Sequence, residues 1–134
     1  MDAPTDTSPV VSASTFKALR IGTDEKLELI ELTAGAALPE LQATVGGYIE
    51  VLGLAPEMSM VLDEEGKLKG KPRNDIAIRL TQHFALRLQP GDNIVGDVVL
   101  LGRGGPLDED GGETESDVPA NVIELLARLG YPLS

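Results

Sequence analysis

Apolar positions along the chain change period repeatedly, and each change marks the boundary of an element. In TFKALRIG (15–22), Phe16 and Ala18, then in part Leu19 and Ile21, alternate with polar neighbours, and KLELIELT (26–33) sets Leu27, Leu29 and Ile30 among charges. With GTDE between them the two runs predict a hairpin. LPELQATV (38–45) places Leu38, Leu41, Gln42 and Val45 at helical spacing, tolerates Pro39 in the first turn and meets a stop signal at Gly46 and Gly47. YIEVLGL (48–54) and MSMVLD (58–63), interrupted by Pro56, predict a second strand pair.

NDIAIRLTQHFALRL (74–88) returns to three- and four-residue steps through Ile76, Ala77, Leu80 and Phe84, behind Asn74 as N-cap and Asp75 in the first turn. Pro90 and Gly91 punctuate it. IVGDVVLLG (94–102) is almost continuously apolar, as a central strand requires, with Asp97 at an edge or paired. Val122, Leu125, Leu126 and Leu129 then share a helical face that starts near Pro119 and stops at Gly130. The order ββα-ββα-β-α predicts a single small α+β domain with a mixed or antiparallel sheet and helices on one face. Residues 15–103 form the expected core, between a disordered tail over 1–14 and an acidic, glycine-rich mobile loop over 104–117. A C-terminal helix over 118–134 is expected to pack on that core.

Composition narrows the chemistry. The chain has 134 residues, a formal charge of −11 and no cysteine, which excludes disulfides, thiolate nucleophiles and the usual structural zinc sites. It has only four aromatic residues, Phe16, Tyr48, Phe84 and Tyr131, so base stacking is nearly unavailable and the charge opposes a polyanion. Direct nucleic-acid binding is therefore disfavoured. No apolar run is long enough to span a bilayer, and MDAPTDTSPVVSAS lacks the basic start and apolar stretch of a secretory signal, so the expectation is a cytoplasmic protein without membrane contact.

The only histidine, His83, gives no nucleophile triad and reads as a helix-surface or satisfied core residue. LDEDGGETESD (107–117) lacks the oxygen spacing of a calcium loop, so neither a metal nor another cofactor is expected. VGGY (45–48) and GRGG (102–105) match no phosphate-binding fingerprint, and Gly46-Gly47 is explained by helix termination. The remaining feature is DEEGKLKGKPRND (63–75), in which Lys67, Lys69, Lys71 and Arg73 occupy every second position. Extended, it would form a basic stripe that either holds phosphate or, the favoured reading, protects a sheet edge and balances Asp63, Glu64 and Glu65.

LQATVGGYIEVLGL, MVLDEEGKLKGKPRNDIAIRL and DNIVGDVVLLG together resemble the domain of unknown function 3846 family, small proteins of bacteria, phages and plasmids. The most specific parts are VGGYIE, the EEGK turn, the Pro-x-Asn that begins a helix, and IVGDVV. Where the family pattern commonly has Asn before EEGK, this chain has Asp63, which replaces an amide by a charge. The resemblance implies no catalytic residues and suggests a compact accessory protein borne on a mobile element.

Taken together, the expectation is a non-enzymatic binding protein, a host-interaction or counter-defence factor, whose partner is a protein or a small anionic, nucleotide-like ligand. Its candidate ligand-binding residues are Gly46, Gly47, Tyr48, Glu50, Lys71, Arg73 and Asn74. The alternatives are an acidic DNA mimic using ordered carboxylates on the last helix and the loop before it, and an enzyme using carboxylates alone, with Asp97, Glu50 or Asp63 as general acid or base. An exposed strand or the apolar side of the last helix leaves a homodimer open.

Overall fold

The computed structural model of the chain describes residues 15–55, 57–84, 94–102 and 116–134. The expected tail over 1–14, the acidic loop apart from Ser116 and Asp117, and the predicted continuation of the second helix past Phe84 lie outside the described residues. Among the described residues five strands, β1 (Thr15–Ile21), β2 (Leu27–Thr33), β3 (Ile49–Ala55), β4 (Met58–Asp63) and β5 (Val98–Gly102), form one sheet in the order β2-β1-β5-β4-β3. Every pairing is antiparallel. Three nine-residue helices among the same residues, α1 (Ala37–Val45), α2 (Asp75–His83) and α3 (Ala120–Arg128), complete a small α+β domain.

The helices do not share one face, which corrects the expected layering. Ala37, Leu41 and Val45 of α1 pack with Phe16, Ala18, Leu32, Val61, Val99 and Leu101. Ile76, Ala77 and Leu80 of α2 and Val122 and Leu126 of α3 pack with Leu19, Ile21, Met58, Met60, Val98 and Leu100 on the opposite face. Alternate residues of β5 thus enter different cores, and all five are buried. The physical reason lies in VVLLG itself, because a strand that is apolar at consecutive positions must have both faces covered. A nine-residue helix is marginal alone, so these contacts hold each one in place.

The segment leading into α3 is tied to the far end of the sheet. Gly102 and Ser116 exchange backbone hydrogen bonds, the Val118 amide donates to Lys17 O (2.9 Å), and the Lys17 amide donates to the Asp117 carboxylate (2.7 Å). A Cβ on Gly102 would lie 2.2 Å from Asp117 O, so only glycine permits this approach.

Candidate functional site

The end of the sheet where β1 and β4 finish and β3 and β5 begin gathers four of the seven candidate ligand-binding residues, Gly46, Gly47, Tyr48 and Lys71. α1 stops there because Gly46 adopts a left-handed conformation (φ 85°), and both glycine amides turn back to Gln42 O, Gly46 at 2.8 Å and Gly47 at 3.1 Å. These amides are therefore committed to ending the helix and do not form an anion cradle.

Asp63, the last residue of β4, is buried beneath this cap. Its carboxylate takes Lys71 Nζ at 2.6 Å, Lys69 Nζ at 2.9 Å and the Glu65 amide at 2.9 Å. Each lysine also donates to the end of α1, Lys71 to Val45 O (2.6 Å) and Lys69 to Gly46 O (2.9 Å). The two ammonium groups thus hold a buried carboxylate and the electronegative end of a helix at once. Burial alone would push the Asp63 carboxyl up. The hydrogen bonds from Lys71, Lys69 and the Glu65 amide, with the Lys71 charge, overcome this and lower it from 3.8 to about 2. Every partner of Asp63 is a donor, so a carboxylate suits the position and no donor role is required of it.

The basic run is not an extended edge strand: residues 64–70 form consecutive turns, and Gly70 has φ 70°. The turns nevertheless bring Lys69 and Lys71 to one carboxylate, so the expected charge balance survives with a different backbone. Lys71 reaches its partners across Gly96 (φ 76°), where a Cβ would stand 2.9 Å from Lys71 Cδ. Gly47 is equally confined, its hypothetical Cβ lying 2.5 Å from Lys69 Nζ and 2.7 Å from Asp63 Oδ1. Gly47→Ala is expected to displace Lys69 from the buried carboxylate and to lower stability by about 1–2 kcal/mol, read as a fall in urea midpoint at unchanged slope.

Of the seven residues predicted to form one surface, Gly46, Gly47 and Lys71 meet around Asp63. Tyr48 joins them at the rim, lining a shallow depression of about 260 Å³ with Gln42, Gly47, Glu65 and Lys69. The other three do not line that depression. Glu50 pairs across β3 and β4 with Leu62, on the sheet face opposite to Asp63. Arg73 is exposed and forms a surface ion pair with Asp75 (3.2 Å). Asn74 is buried, with its amide nitrogen donating to Ile21 O (2.9 Å) and Gly96 O (3.0 Å) while its oxygen caps Ala77 N (3.1 Å).

The carboxylates considered for acid–base work do not converge. Asp97 is held by Arg20 (2.7 Å) and the Thr23 amide (3.0 Å), Asp63 by its lysines, and Glu50 faces solvent across the sheet. His83 is exposed and meets Phe84 edge-on at 5.6 Å. Among the described residues no group of three or more His, Asp or Glu side chains could hold a metal ion, and no helix is long and apolar enough to cross a membrane. Sequence reasoning did not select Lys69, Leu68 or Gly96 as site residues, and considered Asp63 only as an acid–base carboxylate and not as the centre of a lysine clamp. The signal for Gly96 was its place in the IVGDVV block, and for Asp63 the two lysines six and eight positions on.

The family model described as Domain of unknown function (DUF3846) matches residues 16–128. No curated protein and no solved structure matches the chain.

Proposed function

The chain belongs to the domain of unknown function 3846 family, and from that premise we propose that it is a non-enzymatic accessory protein that binds another protein through the α1–β3 junction and the turn over 64–70. The observation that carries this reading is the exposure of two large apolar side chains, Tyr48 at 69% in the wall of the depression and Leu68 at 87% on the turn over 64–70. Leu68 precedes Lys69, which shares the wall of the depression with Tyr48. Exposed apolar anchors beside side chains already paired with one another are the features of a protein-docking patch. Glu64 and Glu65 are also exposed on the adjoining turn, so a partner with basic residues around an apolar anchor complements the patch.

A small anionic ligand fits this end of the sheet less well. Lys69 and Lys71 already serve Asp63 and two helix-terminal carbonyls, and a helix C-terminus repels an anion. The mobile-element association implied by the family resemblance makes a host protein the first class of partner to search.

The test is affinity capture from host lysate with the full chain and with the Tyr48→Ser, Leu68→Ser double variant. Both positions are exposed, so the variant should melt within about 2 °C of the parent. The specific partner should be retained at least about tenfold less well. A partner held equally by both proteins, or thermal shifts with a nucleotide panel but no protein partner, overturns the reading.

A further inference from the structure

The two outer strands of the sheet differ in how they are protected. The start of β2 is covered by the chain itself, with the Ser134 amide donating to Leu27 O (2.8 Å) and the Leu27 amide donating to Ser134 Oγ (3.0 Å). β2 also carries Glu28 and Glu31 along its length. β3 carries one charge, Glu50, and among the described residues only β4 pairs with it. Such an edge is a template for another strand.

The geometry of this edge follows from its register. The Glu64 amide donates to Tyr48 O (2.8 Å), and Glu50 and Leu52 stand opposite Leu62 and Met60. Pairs two residues apart have the same bonding state in an antiparallel ladder, so Tyr48, Glu50 and Leu52 turn their backbone groups towards β4. Ile49, Val51 and Gly53 turn theirs outward. The ladder shifts register only between Gly53 and Ala55, which leaves Val51 in regular strand. Val51 is also 58% exposed, on the face that carries α1, while Glu50 and half-buried Leu52 lie on the other face.

We propose that β3 accepts an extended segment of the partner protein as a sixth strand, with a basic residue opposite Glu50 and apolar residues opposite Val51 and Leu52. This rests on the protein-binding reading above and gives the chemistry of the partner's segment. Antiparallel addition is the slightly more stable pairing and continues the pattern of the sheet. The charge complement is local as well as global: Glu50 lies on the strand, Tyr48 leads from it to exposed Glu64 and Glu65, and the whole chain carries −11. That same charge favours a basic segment over a second copy of this chain.

The experiment uses the full chain and a labelled nine-residue peptide with the central run Thr-Val-Ile-Lys-Val, whose Ile would pair with Val51 and whose Lys would face Glu50. Fluorescence anisotropy should show saturable binding below about 1 mM, weakened about tenfold or more when the Lys is replaced by Glu or the Ile amide is N-methylated. Amide exchange should show Ile49, Val51 and Gly53 open in the free protein and protected in the complex. Val51→Pro removes an outward-facing donor without touching the β4 ladder and should weaken binding about tenfold or more. Should that variant misfold, Val51→Lys, which keeps the backbone and repels the basic segment, is expected to weaken binding likewise.

Absence of binding at 1 mM, equal binding of the N-methylated peptide, or Ile49, Val51 and Gly53 amides already protected in the free protein overturns strand addition. Partner capture lost with Tyr48→Ser, Leu68→Ser but unchanged with Val51→Pro or Val51→Lys overturns strand addition and leaves the protein-binding reading standing. Peptide binding as described, with capture insensitive to Tyr48 and Leu68, supports the edge and removes the patch.

Discussion

Replacing Asn74 by alanine is expected to destabilise the protein by about 3–4 kcal/mol, the larger of two effects at this end of the sheet. Asn74 is 1% exposed and satisfies three backbone groups from three parts of the chain: Ile21 O at the end of β1, Gly96 O before β5, and Ala77 N in the first turn of α2. Alanine would leave two buried carbonyls and one amide without these partners. Asn74→Asp separates the contributions, since the carboxylate keeps the cap on Ala77 but offers no donor and faces two carbonyl oxygens. It should be no more stable than the alanine variant at neutral pH and should recover as the pH falls and the carboxyl takes up a proton. Urea unfolding of both variants at two pH values measures the difference. Loss of less than about 1 kcal/mol on Asn74→Ala would show that the three backbone groups find other partners.

Removal of the Asp63 carboxylate is expected to cost about 2–3 kcal/mol at neutral pH. Breaking a fully buried pair costs more, but Lys69 and Lys71 are 38% and 22% exposed at the side chain and can turn towards water. Its pH dependence distinguishes the clamp from ordinary packing. The carboxyl is held at about 2 in the folded protein against 3.8 ordinarily, so its stabilisation is fully present above pH 4. It is lost as the pH falls from about 4 to about 2, amounting to about 2 kcal/mol. Asp63→Asn should lack this component. Equilibrium unfolding of both proteins at pH 7 and at about pH 2 should therefore give a gap that narrows in acid, whereas a packing defect would leave the gap unchanged.

The two predictions illustrate which properties could be read along the chain. Asn74 was legible as an N-cap because capping acts over three residues. Its amide bonds to Ile21 and Gly96 were not, because nothing local marks a carbonyl 53 or 22 positions away. Gly46 and Gly47 were legible as a helix stop for the same local reason. Lys67 to Arg73 were read as an extended stripe from their alternation, whereas Gly66 and Gly70 accommodate turns. The alternation still mattered, because it left Lys69 and Lys71 with a common acceptor.

Hairpin β1–β2, the strand pair β3–β4, the central β5 and the three helices were determined by the sequence itself, since period, caps and turn residues express backbone preferences over a few positions. The α+β class followed from their order. Which face each helix covers, which glycines admit a lysine side chain, and which charges become internal were decided only by tertiary structure. Those outcomes depend on how the sheet brings distant ends together and on the need to pair polar groups once water is removed. Tyr48 and Leu68 are conspicuous because the same packing leaves them exposed, and the outer edge of β3 because among the described residues only β4 pairs with it.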